Sequence, residues 1–240
     1  MSGLAADLYR RAPYPLRVAA ASVHGARLRT RRYGRDTDGL VAEVLERDHW
    51  DRERWDEWQA ARLNHVLAVA RDHVPAYGDV ADGSGPPALD WFPLLTKARL
   101  RADPRSFVRS DAPSRLVTEH TSGTSGTPLE LRIARPDYRL WYALAEARWR
   151  RWYGVDRHAR WAILGGQQVV APDTTKPPYW VWNFALRQLY LSAYHLAPDN
   201  IAAYLEAMRR HEVVYLLGYP SGLYALARVA LERGLVAPQL

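Results

Sequence analysis

The end of the chain sets the strongest constraint on its fold. Residues 213–217 form an apolar, β-prone run, Gly218-Tyr219-Pro220-Ser221 reads as a turn, and an apolar-periodic stretch then runs to Gly234. A strand that passes through a glycine turn into a helix is half of a parallel βα repeat, and such repeats bind ligands at the C-terminal ends of their strands. Ser221 is the expected N-cap of this helix, and Asp199 is the expected cap of the preceding one, which ends at Arg210. Another buried strand is expected at residues 160–164, opening onto Gly165-Gly166-Gln167-Gln168, where a nucleotide or substrate could approach the sheet edge. The fold class is therefore α/β, with a mixed, largely parallel sheet flanked by helices. Ser221 is not a hydrolase nucleophile, because Tyr219 stands where a Gly-x-Ser-x-Gly elbow needs its first glycine.

The chemistry is concentrated in Thr121-Ser122-Gly123-Thr124-Ser125-Gly126-Thr127-Pro128. Glycines let the backbone approach a ligand closely, and successive N–H groups with hydroxyls form a concavity for anions. Residues 116–120 are β-prone and residues 129–133 alternate apolar and polar, so the loop joins two strands. A Ser/Gly/Thr-rich hairpin turn without a ligand is the competing reading. A Walker A loop is excluded: two residues separate Gly123 from Gly126, no lysine follows, and the next element is a strand.

Net charge is +7, yet Lys97 and Lys176 are the only lysines among 33 basic residues. The arginines are dispersed apart from residues 27–35 and 148–160, and no nucleic-acid-binding signature accompanies them, which argues against nucleic acid. Residues 4–28 are mildly apolar but interrupted by Arg17, His24 and Arg27, too charged for a transmembrane segment. They fit an interfacial helix or a helix lying on the domain or a partner subunit. The absence of cysteine excludes thiol chemistry and is compatible with a cytoplasmic location.

A helix is expected over residues 51–74, with an apolar stripe through Trp55, Trp58, Leu63, Val66 and Leu67, and is stopped by Pro75. Thr96 caps a short helix at Lys97, and Pro136 opens another that ends at Gly154. Its last turns carry Arg148, Trp149, Arg150, Arg151 and Trp152, a basic outer face or a surface that stacks a nucleotide. Residues 172–182, rich in proline and aromatics, read as an irregular segment that walls an apolar pocket or covers the sheet.

The loop at 121–128, with Pro75-Ala76-Tyr77, Leu94-Leu95-Thr96-Lys97 and the run from Gly218 to Ala227, resembles the phenylacetate–CoA ligase family of adenylate-forming enzymes, including its branch associated with capsular polysaccharide synthesis. The resemblance implies the N-terminal domain of such enzymes, incomplete at its C-terminus. It implies ATP, Mg²⁺ and coenzyme A, with a small-molecule carboxylic acid activated as its acyl-adenylate. It places the ATP phosphates at residues 121–128 and the acyl pocket near Ser192, Tyr194, His195, Gly218, Tyr219, Pro220 and Ser221. A buried, structurally satisfied histidine is the equal alternative for His195. Lys97 is structural, since the family's catalytic lysine lies in a later lid.

The chain departs from that family in four ways. Its Tyr-Gly-x-Thr-Glu and Thr-Gly-Asp segments and its lid lysine are not in this sequence, and Thr127 and Leu129 flank Pro128 where the common loop has a lysine nearby. The expected organisation is an N-terminal helical extension over 1–50 and the front part of the large domain over 51–240. A second copy or a C-terminal partner chain is the expected protein partner. A non-catalytic remnant that binds a nucleotide or a partner is the alternative function.

Overall fold

The computed structural model describes residues 3–80, 87–121 and 128–240. The fold is mixed α/β. In chain order its main elements are α1 (Gly3–Arg11), α2 (Tyr14–Arg32), α3 (Thr37–Glu46), α4 (Arg52–His73), α5 (Lys97–Ala102), β1 (Val117–His120), β2 (Glu130–Ile133), α6 (Arg135–Trp149), β3 (Trp161–Gly165), β4 (Trp180–Asn183), β5 (Gln188–Ser192), α7 (Ile201–Arg210), β6 (Tyr215–Gly218) and α8 (Pro220–Glu232). The chain separates into two compact units, Met1–Tyr33 with Arg148–Leu240, and Gly34–Ala147. Residues 1–50, expected as one extension, are shared between them.

The first unit is built on a sheet of order β4-β5-β3-β6, in which β3 runs parallel to β5 and β6, and β4 runs antiparallel to β5. Four of the five β3 residues are buried, as a central parallel strand requires. Leu164, Leu189 and Leu191 pack with Ile201, Tyr204, Leu205 and Met208 of α7 and with Leu226, Val229 and Ala230 of α8. The α7 residues follow the i, i+3, i+4, i+7 spacing of a helix with one apolar face. Each leucine buried this way contributes about 2 kcal/mol.

Helix α2 lies on the sheet rather than apart from it. Asn183 Nδ2 donates to the Ala21 carbonyl at 3.0 Å, and the Phe184 N–H donates to Ser22 Oγ at 3.1 Å. A Cβ on Gly25 would come within 2.2 Å of the Asn183 side chain, so only glycine permits this approach. Arg17, one turn of the same face away at each step, is buried and donates to the Val169 carbonyl at 3.0 Å.

The strand at 180–183 corrects the expectation that residues 172–182 are irregular throughout. Its Trp180 and Trp182 pair with Leu191 and Leu189. Two cap assignments are also corrected. Asn200 occupies the N-cap of α7, and Asp199 instead accepts from Arg233 at 2.9 Å. Pro220 takes the first helical position of α8, which moves the N-cap back to Tyr219 and leaves Ser221 inside the helix.

The second unit holds α3, α4, α5, the β1–β2 hairpin and most of α6, with Val41, Val44, Ala143 and Ala147 as its core. Helix α4 begins where expected, capped by Asp51 accepting from the Arg54 N–H at 2.9 Å. Its stripe is largely uncovered, with Leu67 buried but Leu63 and Val66 exposed. Trp50, Trp55 and Trp58 pack edge-to-face on one another, with the Arg47 and Arg54 guanidinium groups over the rings. Thr96 caps α5 as expected.

Candidate functional site at the C-terminal edge of the sheet

Register brings the ends of the parallel strands level. Gly165 pairs with Ser192, and Leu164 pairs with both Leu191 and Gly218. The segments that leave this edge carry Gly166 and Gln167, then Tyr194 and His195, then Tyr219 and the first turn of α8. Of the acyl-pocket residues expected from sequence, Ser192, His195, Gly218, Tyr219, Pro220 and Ser221 therefore share one end of the sheet with Tyr194.

The packing around them is tight. A Cβ on Gly165 would fall 2.3 Å from the Tyr190 hydroxyl, and one on Gly218 would fall 3.1 Å from the Leu164 carbonyl. The Tyr190 oxygen accepts from the Gln167 N–H at 3.1 Å, which ties β5 to the loop after β3. Burial raises the Tyr190 pKa, and the Gln167 N–H opposes this while the nearby Tyr219 and Tyr194 add to it. The phenol thus stays protonated at neutral pH. Tyr194 and Tyr219 are exposed at the edge. Tyr190 is a member of this cluster that sequence reading did not single out; the available signal was its place two residues before Ser192 in the same strand.

Ser192 and His195 form the polar centre. Ser192 is fully buried and its Oγ lies 2.9 Å from His195 Nδ1. The Tyr179 ring stacks on the imidazole with centroids 4.9 Å apart, and Tyr204 donates its hydroxyl proton to the Ser192 carbonyl at 2.6 Å. His195 Nε2 is buried and has no hydrogen-bond partner among the described residues. Whichever tautomer is present, one ring nitrogen is left as an unmatched donor or acceptor. A buried polar atom without a partner costs about 1–3 kcal/mol, so this nitrogen is not explained as a satisfied core histidine.

The first turn of α8 adds N–H groups. Tyr219 makes no side-chain cap bond, Pro220 has no N–H and the Leu223 N–H donates to the Tyr219 carbonyl at 3.0 Å, so the N–H groups of Ser221 and Gly222 are the ones this first turn offers to an anion. A cavity of about 390 Å³, lined by Arg151, Asp156, Ala159 and Val214, lies at the opposite end of the strands. Ala159 lies two residues before β3, and Val214 immediately precedes β6. The convergence of polar groups favours the C-terminal edge over that cavity.

The expected phosphate loop lies in the other unit. Ser122, Gly123, Thr124, Ser125, Gly126 and Thr127 fall outside the described residues. Its stem is described: β1 and β2 pair antiparallel, from Val117 with Ile133 to His120 with Glu130. Thr121 extends the ladder, donating its N–H to the Leu129 carbonyl at 3.0 Å and accepting the Leu129 N–H on Oγ1 at 3.0 Å. That second bond uses the Thr121 oxygen as an acceptor and leaves its O–H free to donate. Behind the stem, Tyr138 donates to Glu119 at 2.9 Å at the edge of a cavity of about 250 Å³. Among the described residues no group of three or more His, Asp or Glu could hold a metal ion, and no helix is long and apolar enough to cross a membrane.

No family model matches the chain, and no solved structure matches it. Among curated proteins it is similar to Protein CapK of Staphylococcus aureus, with 22% identity over 147 residues, or 61% of this chain. The match spans 32% of the length of that protein.

Proposed function

We propose that this chain carries the phosphate loop and the acyl side of an AMP-forming ligase of the phenylacetate–CoA ligase kind. In that reaction a carboxylate oxygen attacks the α-phosphorus of ATP, the bond to the β-phosphate oxygen breaks and pyrophosphate leaves. The thiol of coenzyme A then takes the acyl group, AMP leaves and the thiol proton passes to solvent. The observation that carries the reading is the buried His195 Nε2, without a partner among the described residues, set at the sheet edge where Gly165 pairs with Ser192 and Gly218 pairs with the preceding Leu164. A substrate carboxylate there would meet the imidazole and the open N–H groups of α8, while Tyr190, Tyr194 and Tyr219 would flank its apolar part.

The loop at 121–128 supplies hydroxyls and glycine N–H groups to the β- and γ-phosphates, so that the attack is in line and the leaving pyrophosphate is held. Mg²⁺ carried on those phosphates would neutralise charge as pyrophosphate departs. The similarity to Protein CapK supports the branch of the family associated with capsular polysaccharide synthesis.

The reading is tested in the native protein that carries these residues. Gly126→Val should leave the circular dichroism spectrum intact and abolish carboxylate-dependent ATP–pyrophosphate exchange. Exchange at the unaltered rate would remove the loop from the ATP site. The rival, a nucleotide- or partner-binding remnant, is favoured by Thr127 and Leu129 standing beside Pro128 without a lysine. It predicts saturable ATP binding with no exchange for any acid.

A further inference from the structure

The outer face of α2 has a composition its inner face does not explain. The inner face is accounted for by Arg17, Ala21, Ser22 and Gly25 against Val169 and the end of β4. On the opposite side Leu16, Ala20, Val23, Arg27 and Arg31 follow one another at three- and four-residue steps, all exposed. Leu16 is 61% and Val23 57% exposed. The first half of this stripe is apolar and the second half basic, with Arg29 beside it.

The charge on this face is uncompensated. Helix α2 contains no aspartate or glutamate, and Arg27, Arg29 and Arg31 have no carboxylate partner among the described residues. Arg10 and Arg11, by contrast, reach Gln168 and Asp173 and are held within the unit. Burial first, then the charges of Arg32, Arg31 and Arg27, lower the pKa of His24 in the middle of the helix. A second copy of this helix would offer those arginines no carboxylate from its own face. An anionic lipid surface offers both headgroup phosphates for the arginines and an acyl boundary for Leu16 and Val23.

We infer that the outer face of α2 docks this protein on an anionic membrane surface, with Leu16 and Val23 entering the headgroup boundary and Arg27, Arg29 and Arg31 on lipid phosphates. The helix lies in the interface and does not cross the bilayer. This docking is independent of the ligase reading and holds whatever the sheet edge binds. It brings the chemistry of the attached unit to a surface rather than to bulk solvent.

The test is co-sedimentation of the 240-residue chain with phosphatidylcholine vesicles, with and without phosphatidylglycerol. Binding is expected only to the anionic vesicles, and Arg27→Gln/Arg29→Gln/Arg31→Gln should weaken it roughly a hundredfold, three arginines at about fivefold each. Because the chain has no cysteine, Val23→Cys can carry a single environment-sensitive dye, whose emission should shift to the blue on those vesicles. Leu16→Ser/Val23→Ser should also weaken binding, and all these exposed positions leave the circular dichroism spectrum unchanged. Equal binding to neutral vesicles, or no loss in the triple arginine variant, would overturn the inference. So would a concentration-dependent dimer that the dye at position 23 disrupts while no vesicle binding occurs.

Discussion

Ser192 Oγ and His195 Nδ1 lie 2.9 Å apart at the point where β5 leaves the sheet. Both residues are buried, so this bond fixes the imidazole plane against Tyr179 and determines where the unmatched Nε2 sits. Ser192→Ala removes the partner that Nδ1 has among the described residues and leaves two unmatched ring nitrogens. A loss of about 1–3 kcal/mol is expected, read from the midpoint of urea unfolding. His195→Phe, which keeps the stack on Tyr179 and removes both nitrogens, should be less destabilising than Ser192→Ala while reducing carboxylate-dependent exchange.

The contact between Gly165 and Tyr190 gives a coupled pair. A methyl at 165 meets the Tyr190 hydroxyl at 2.3 Å and its ring carbon at 2.8 Å, and the ring cannot give way as a flexible chain end would. Gly165→Ala should cost about 1–3 kcal/mol, as overpacking does. Tyr190→Leu shortens the neighbour, so the double variant should be more stable than the sum of the two single changes. Strict additivity in thermal denaturation would place the Tyr190 ring elsewhere.

Acid should weaken the first unit through His211. Burial, and then the charges of Arg210 and Arg160, lower its pKa from 6.5 in the fold, where the ring stacks on Trp182 at 4.5 Å. The unfolded chain therefore takes up the proton first as pH falls below 6.5, and stability present above that pH declines until the folded state is protonated too. His211→Phe should flatten the pH dependence of the melting temperature below 6.5. Part of the slope should persist, because His24 is shifted in the same direction.

Local chemistry was legible where it was decided locally. β-Propensity gave β1, alternation gave β2 and an apolar run gave β3; Pro136 lies in the first turn of α6, but that helix ends at Trp149 and a separate 3-10 turn, Arg151–Tyr153, carries the chain on to Gly154, where the helix end was expected. Periodicity identified the stripe on α4 but could not say what covers it, and Leu63 and Val66 turn out exposed. Cap rules failed where a longer-range partner intervened, as when Arg233 drew Asp199 away from α7. β4 was hidden because its pairing partner β5 decides it, through backbone bonds that leave little pattern in Trp-Val-Trp-Asn. At the site, the residues after β5 and β6 could be named from sequence. Tyr190 was not, because its place two residues before Ser192 was the only signal and the register of β3 against β5 is what sets it beside Gly165.

The measurement that bears most directly on the central claim is exchange of labelled pyrophosphate into ATP by the native protein carrying these residues, across aryl, fatty and amino acids. The account predicts exchange that requires both ATP and one class of carboxylic acid. ATP binding with no exchange for any acid would contradict it and leave the sheet edge as a binding site without adenylation chemistry.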